Sequence, residues 1–505
     1  MLRKIDDFLN KITMYRLVRW CLAFLWCAGL FWSFLGVVPF GPIKLIISLA
    51  VIFTSCVAIN RLFEVLFKAP SNTESTYITA LILSLVMGPE ASWSGFLFLI
   101  LISALAIASK YILAINKKHV FNPAAFSMVA GAYLFGYYPG WWIGNMYMAP
   151  LVLIAGFLLV RKIQRFDLVV SFFVIFFVTS SQNILSIQNF TFFFRELFAY
   201  SPVLFFALVM LTEPATTPPT RNMRIIYGAS VAFLLAPFVH FGSIYFSPEL
   251  ALLAGNIFSF LVSPKIKLAA VLKEKINIAN NTYDFVFSYE KPLRYRPGQY
   301  MEWTLKHKKG DARGMRRYFT LASSPTEHEL RMGVKFYPNP SSYKKALAAL
   351  VPGDTVVASQ LAGDFVLPYD KNKKLVFLAG GIGITPFRSM VKYLLDKNEK
   401  RDVVIFYANN TYEDIAYRDI FDQAKTQFGT TTVYAVNSLE HAPLDFNCKE
   451  GIINKEIIKT YAPDFKERMY YISGPRAMIV SFEKILKEMG IPKRHVKTDF
   501  FPGYA

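Results

Sequence analysis

Through the first half of this chain, apolar residues fall in runs that approach the ~20 needed to cross a hydrocarbon layer. They cover 20–38, 43–59, 93–109, 147–160, 168–178, 202–211, 225–238 and 250–262. Two more, 77–87 and 124–137, are short or interrupted by glycine, which brings the expectation to about ten membrane-embedded helices. Residues 1–263 thus read as a polytopic α-helical domain set in a lipid bilayer. Beyond residue 264 charged and apolar residues alternate as in an ordinary globular protein.

The net charge of +20 gains its meaning from this division. Every second connection carries cations: Arg3, Lys4, Lys11, Arg16 and Arg19, then Arg61 and Lys68, then Lys110, Lys117 and Lys118. Arg161, Lys162 and Arg165, then Arg221 and Arg224, then Lys265 and Lys267 continue the series. The intervening loops around Gly41-Pro42, Pro89-Glu90, Pro139-Gly140-Trp141-Trp142 and Phe241-Gly242 read as bare, with Arg195 the exception. Such asymmetry marks the cationic side as cytoplasmic. It places the N-terminus and the whole second half inside a multi-pass cell-membrane protein, and makes nucleic acid a poor partner. No small-residue cleavage site follows the first run, so no signal peptide is expected. Cys21, Cys27, Cys56 and Cys448 lack zinc or iron–sulfur spacing, so no metal site is expected.

In the second half, short alternating segments at 267–272, 282–288, 300–306, 317–321, 330–335 and 355–360 point to a small antiparallel β-barrel over 264–370. From 371 to 505, buried runs at 375–378, 403–407, 432–435 and 469–472 alternate with helical stretches at 386–395, 415–427 and 477–489. That is the pattern of an α/β domain with a parallel sheet. Its first strand breaks into Ala379-Gly380-Gly381-Ile382-Gly383-Ile384-Thr385-Pro386. Glycines there let backbone approach a phosphate, and a helix start offers free N–H groups. Such turns also serve as plain connections, so the companions decide.

Those companions are Arg296-Pro297-Gly298-Gln299-Tyr300, Arg317-Tyr318-Phe319-Thr320-Leu321-Ala322-Ser323-Ser324-Pro325 and Tyr471-Ile472-Ser473-Gly474-Pro475. In this order the four segments resemble the ferredoxin–NADP⁺ reductase family over roughly the last 240 residues. The resemblance implies FAD on the barrel and NADH or NADPH on the α/β domain. Arg317 would hold the FAD pyrophosphate, Phe319 would stack in place of the usual Tyr, and Thr320 would bond flavin N5. Arg296, Tyr300, Tyr318 and Lys335 would also face cofactor. Ser341 and Ser342 would cap a helix aimed at the FAD phosphates or serve as plain caps. Gly380, Gly381, Gly383 and Thr385 would cradle the nicotinamide pyrophosphate. Ser473, Gly474 and Pro475 replace a Cys-Gly-Pro beside the nicotinamide, so Thr320 and Ser473 are the expected catalytic pair. Tyr504 in the aromatic tail would stack on the flavin or dock on the sheet. Ala408-Asn409-Asn410 lacks the arginine of NADP-selective relatives, which favours NADH and leaves NADPH open.

In the first half, Phe121-Asn122-Pro123-Ala124 and Thr212-Glu213-Pro214-Ala215-Thr216-Thr217 break apolar helices with polar groups. Broken backbone at membrane depth is tolerated where it is buried or lines a site. These segments resemble the family of membrane subunits shared by the sodium-pumping NADH:quinone reductase and the Rnf complex. The resemblance implies a membrane flavin, FMN or riboflavin, near Asn122, Thr212, Thr216 and Thr217. The family's Ser/Thr-x-Ala-Thr flavinylation motif is missing, so that flavin would be noncovalent. Electrons would leave to quinone or to an extracytoplasmic flavoprotein. His119 and His240 are too few for a bis-histidine haem pair. A redox-regulated ion or solute transporter is the rival reading, and Glu213 reads more simply as a helix-end residue than as an ion gate.

Overall fold

The computed structural model describes residues 5–6, 8–9, 12–67, 73–115, 118–186, 195, 201–263, 267–290, 293–307, 315–440, 442–443, 446 and 448–499. They fall into two compact units, one on each side of residue 265.

The first unit is helical: α1 (Met14–Phe34), α2 (Pro42–Leu66), α3 (Thr73–Val86), α4 (Trp93–Ile112), α5 (Pro123–Phe135), α6 (Ala149–Ile163), α7 (Phe166–Ser186), α8 (Arg221–Leu234) and α9 (Pro248–Val262). Between α7 and α8 a short helix, Val203–Phe205, widens into a π-helical turn at Phe206–Met210. Each apolar run overlaps a helix, but the expectation of ten spans needs correction. Among the described residues, only α1, α2 and α4 are long and apolar enough to cross a membrane. The physical reason is length: α5, with 13 residues, rises only about 20 Å at ~1.5 Å per residue. Proline sits in the first turn of α2, α5, α6 and α9, fixing where those helices begin. Lys44, the third residue of α2, adds a cation to a side read as bare. Large apolar side chains also face outward, with Ile43 71% and Val65 77% exposed on α2.

The second unit contains two six-stranded sheets. The first comprises β1 (Lys267–Ala279), β2 (Thr282–Ser288), β3 (Tyr300–Thr304), β4 (Arg316–Thr320), β5 (Leu330–Lys335) and β6 (Thr355–Ala362), with α10 (Ser342–Ala348) before β6. Its order is β4-β3-β6-β1-β2-β5 and every pairing is antiparallel. Just beyond the edge strands, the Ala322 N–H donates to Arg331 O at 2.8 Å. Trp303, Phe287 and Tyr343 fill its interior.

The second sheet runs parallel in the order β10-β9-β8-β7-β11-β12. Its strands are β7 (Leu375–Gly380), β8 (Val403–Asn409), β9 (Thr431–Val436), β10 (Cys448–Glu450), β11 (Met469–Ser473) and β12 (Val496–Thr498). The helices are α11 (Thr385–Asp396), α12 (Arg418–Phe428), α13 (Lys455–Tyr461) and α14 (Arg476–Glu488). Central β7 is buried at every residue, Leu375, Phe377 and Ala379 entering one core and Val376 and Leu378 the other. A strand covered on both faces reads as a continuous apolar run, which is how it was legible.

A buried network ties the two sheets together. Asp284 on β2 accepts from Arg331 Nη1 at 2.8 Å and from Tyr417 Oη at 2.9 Å. Tyr417 takes the left-handed conformation, φ 59°, just before α12. That anchor starts the helix at Arg418 rather than at the expected residue 415. Burial beside Asp284 pushes the Tyr417 hydroxyl far above its ordinary pKa, so it remains a donor. Asp284→Ala leaves the buried Tyr417 hydroxyl without its acceptor and Arg331 with only its longer contacts to Glu327 and Glu329. It is expected to cost about 3–5 kcal/mol, read as a fall in the melting temperature of the full chain.

Candidate functional site

At the carboxyl end of the parallel sheet, β7 enters a 3₁₀ turn at Gly381–Ile384 and then α11. Pro386 lies in the first turn of α11, where its lack of an N–H costs nothing. A Cβ on Gly383 would lie 2.5 Å from Ser473 O and 2.6 Å from Gly474 N and Cα. The expected Ser473-Gly474-Pro475 segment is therefore packed directly against the glycine turn. Gly380 faces Met478, whose flexible sulfur would lie 2.3 Å from an added Cβ. Gly381 differs: its φ is +51° and an added Cβ meets nothing within 4 Å. Turn geometry requires a glycine there, whereas close approach of backbone requires one at 383. Thr385 Oγ1 donates to Ile382 O at 3.2 Å, locking the turn from within.

Ser473 is 3% exposed and donates to Asp499 Oδ2 at 3.1 Å. Asp499 follows β12, a three-residue edge strand with no periodic signal to announce it. Next to it Lys497 donates to Val366 O and is held below its ordinary pKa by burial and by Arg296. Tyr504 and its tail lie outside the described residues.

On β4 the side chains alternate. Arg317, 3% exposed, lies with its guanidinium 5.1 Å from the Tyr343 ring, and Phe319 packs against the same ring at 6.1 Å. Burial raises the Tyr343 hydroxyl above its ordinary pKa, and it donates to Trp303 O. On the opposite face Tyr318 Oη donates to Glu302 Oε2 at 3.0 Å and meets Tyr300 edge to face. Thr320, 5% exposed, pairs with Tyr300 across the ladder. Arg317 and Phe319 therefore share one face, while Tyr300, Tyr318 and Thr320 gather toward the other. Tyr343 and Glu302 were missed because nothing local singles them out. Both become visible only through strand register.

Ser341 accepts from Lys344 N–H at 3.3 Å, so it is the N-cap of α10. Ser342 lies 3.1 Å from His307 Nε2 instead of capping. Two expected cofactor contacts are committed within the chain. Lys335 pairs with Asp414 at 2.7 Å, and Arg296 donates to Leu367 O at 2.8 Å beneath the Tyr369 ring. Gly333 was also missed: an added Cβ would meet Tyr417 Oη at 2.6 Å and Thr385 Cγ2 at 2.8 Å.

In the helical unit the two broken segments meet at one carboxylate. Asn122 caps α5 by accepting from Ala125 N–H and donates its Nδ2 to Glu213 Oε2 at 2.8 Å. Thr216 donates to the same oxygen at 3.2 Å. Asn256 on α9 accepts from Asn122 N–H and donates to Tyr227 Oη on α8. Glu213 is thus a hub, not a simple helix-end residue. Thr212 bonds back to Leu208 O and Val209 O, while Thr217 reaches Pro214 O at 3.5 Å. Bonds of 3.2–3.5 Å are long for hydroxyl donors. Thr212, at 3.0 Å, is better satisfied.

A protein-family model described as "Oxidoreductase NAD-binding domain" matches residues 377–484. The flavohemoprotein of Bacillus cereus is 27% identical over 219 residues, which covers 42% of this chain and 54% of that protein. The flavohemoprotein of Candida albicans is 30% identical over 223 residues, covering 42% and 52%. The chain spans about half the length of these curated relatives. Among solved structures, the flavohem-like FAD/NAD-binding domain of nitric oxide dioxygenase from Vibrio cholerae aligns with a TM-score of 0.41 at 21% identity, over 46% of this chain and 98% of that one. The cytochrome b5 reductase domain of Ulva prolifera nitrate reductase aligns at 0.41 and 23%, over 47% and 98%. The C-terminal half contains an oxidoreductase NAD-binding domain.

Proposed function

We propose that this chain is a membrane-bound, flavin-dependent NAD(P)H oxidoreductase. Residues 264–370 would hold FAD and residues 371–505 the nicotinamide substrate. Electrons would pass to a noncovalent flavin in the helical half and on to quinone or an extracytoplasmic flavoprotein. The observation that carries the reading is the glycine turn of β7 packed on Ser473-Gly474 at the carboxyl end of a parallel sheet, where such folds take their ligands.

The residues fit an FAD phosphate and ring on β4. Arg317 supplies a planar cation already oriented by Tyr343, and Phe319 supplies an apolar ring. When bound, FAD would accept a hydride and release electrons singly. Ser473, fixed by Asp499, would orient the nicotinamide side, and Thr320 would offer its hydroxyl to the flavin edge. Gly383 permits the turn and the Ser473 loop to touch. NADH is favoured because Asn409 and Asn410, rather than arginine, stand at the end of β8.

For the helical half, the outward apolar faces of α1, α2 and α4 support bilayer contact. Asn122, Thr216 and Thr217 would hold the second flavin. Thr216→Val with Thr217→Val is expected to deplete acid-released FMN or riboflavin by more than half while FAD is retained, because buried flavin polar groups lose partners. Chromatography of flavins extracted from the full-length protein reads both. Finding FAD alone in wild type would favour direct reduction of quinone by FAD.

A further inference from the structure

The carboxylate at which the two helical breaks meet has one oxygen that Asn122 and Thr216 leave open. Glu213 Oε2 takes both of their hydrogen bonds, and Glu213 Oε1 faces His119 Nε2 at 3.9 Å. That Nε2 is buried and has no hydrogen-bond partner among the described residues. At 3.9 Å the two groups stand within ion-pair range and just beyond a direct hydrogen bond, a gap that a small side-chain rotation closes. The two side chains are 25% and 28% exposed, so each keeps an accessible edge. Lys110 on α4 and Tyr227 on α8 interact electrostatically with the same carboxylate.

We propose that His119 and Glu213 form a proton-transfer pair serving the redox group held at Asn122 and Thr216. This rests on the membrane-flavin reading above. A proton enters at the solvent edge of His119, leaves its Nε2–H, and crosses to Glu213 Oε1. Glu213 Oε1 then releases it toward the redox group, and the carboxylate is ready for the next proton from His119. The balance closes. Hydride leaves NADH as two electrons and one proton, and water supplies the second proton. Two single-electron transfers into the helical half then each draw one proton through the pair, so no net charge accumulates in a low-dielectric place, where it would be costly. Asn122 and Thr216 fix the carboxylate in orientation, and the backbone bond from Asn122 to Asn256 holds that fixture to α9.

The test uses full-length protein. Infrared difference spectra between the air-oxidised and dithionite-reduced states are expected to show a carboxyl band that shifts in D₂O. Glu213→Gln should abolish it, and Glu213→Asp should retain it at a moved frequency. His119→Gln should keep the band but slow electron delivery to a short-chain quinone by about 10²-fold, as loss of a positioned proton donor does. His240→Gln, on a remote hairpin, should change neither. A band that persists in Glu213→Gln while extracted flavin shows two flavins per chain overturns the pair alone. A wild-type chain with FAD only overturns the membrane-flavin reading and the pair with it. The flavin count separates the two failures.

Discussion

Gly383→Val is expected to lower kcat/KM for the nicotinamide substrate by roughly 10²-fold or more. The added Cβ starts 2.5 Å from Ser473 O, against 3.4–4 Å for ordinary contact, and its nearest neighbours are all backbone. Backbone cannot rotate aside as a side chain can. The turn and the Ser473 loop must part by about 1 Å, and a misplacement of about that size costs on the order of 10²-fold in rate. Gly381→Val supplies the contrast. Its Cβ enters open space, so its penalty is the left-handed φ of +51°, roughly 1–2 kcal/mol of strain. Steady-state kinetics with NADH, with FAD content checked in parallel, distinguishes the two. Equal losses at both positions would show that turn conformation, rather than the packing against Ser473, governs the site.

Arg317→Ala is expected to yield protein without FAD. The side chain is 3% exposed and its guanidinium is already ordered against Tyr343, so little entropy is lost when it grips a phosphate. Two charge-assisted hydrogen bonds at about 1.5–3 kcal/mol each put the loss at roughly 10²- to 10⁴-fold in affinity. Arg317→Lys should fall between, because an ammonium keeps the charge and gives up the planar fork. Visible flavin absorbance per mole of purified protein reads the outcome. Full FAD occupancy in the alanine variant would move the pyrophosphate site off β4.

How far the sequence led depended on the range of the interaction that fixes each feature. Alternation over 282–288 and 330–335 located β2 and β5 to the residue, since side chains there answer only to the two faces of their own strand. The run at 375–378 marked β7 without alternation, because that strand is buried on both faces. The helix at 415–427 began late because the start of α12 is set by a contact between Tyr417 and Asp284, 133 residues apart. Lys335 and Arg296 stand at motif positions, and their partners within the chain, Asp414 and Leu367 O, are distant in sequence. The span count overshot because hydropathy sees composition, while proline and π-helical turns cut the apolar runs into lengths that composition does not reveal. Glu213 shows the same limit. Its chain neighbours suggest a helix end, and only folding brings Asn122 to it.

The bridge through Asp284, Tyr417 and Arg331, reinforced where Arg388 of α11 pairs with Glu327, carries a consequence for how the second half breathes. Opening of amides in the core of β7 and β11 is expected to loosen the antiparallel sheet as well. Deuterium uptake in those strands is then linked to ligation some distance away. Saturating the Arg317 face with FAD to about 100 times its dissociation constant would add roughly 2.7 kcal/mol to the shared opening energy. The nicotinamide end would become about a hundredfold slower to exchange before any nicotinamide has arrived.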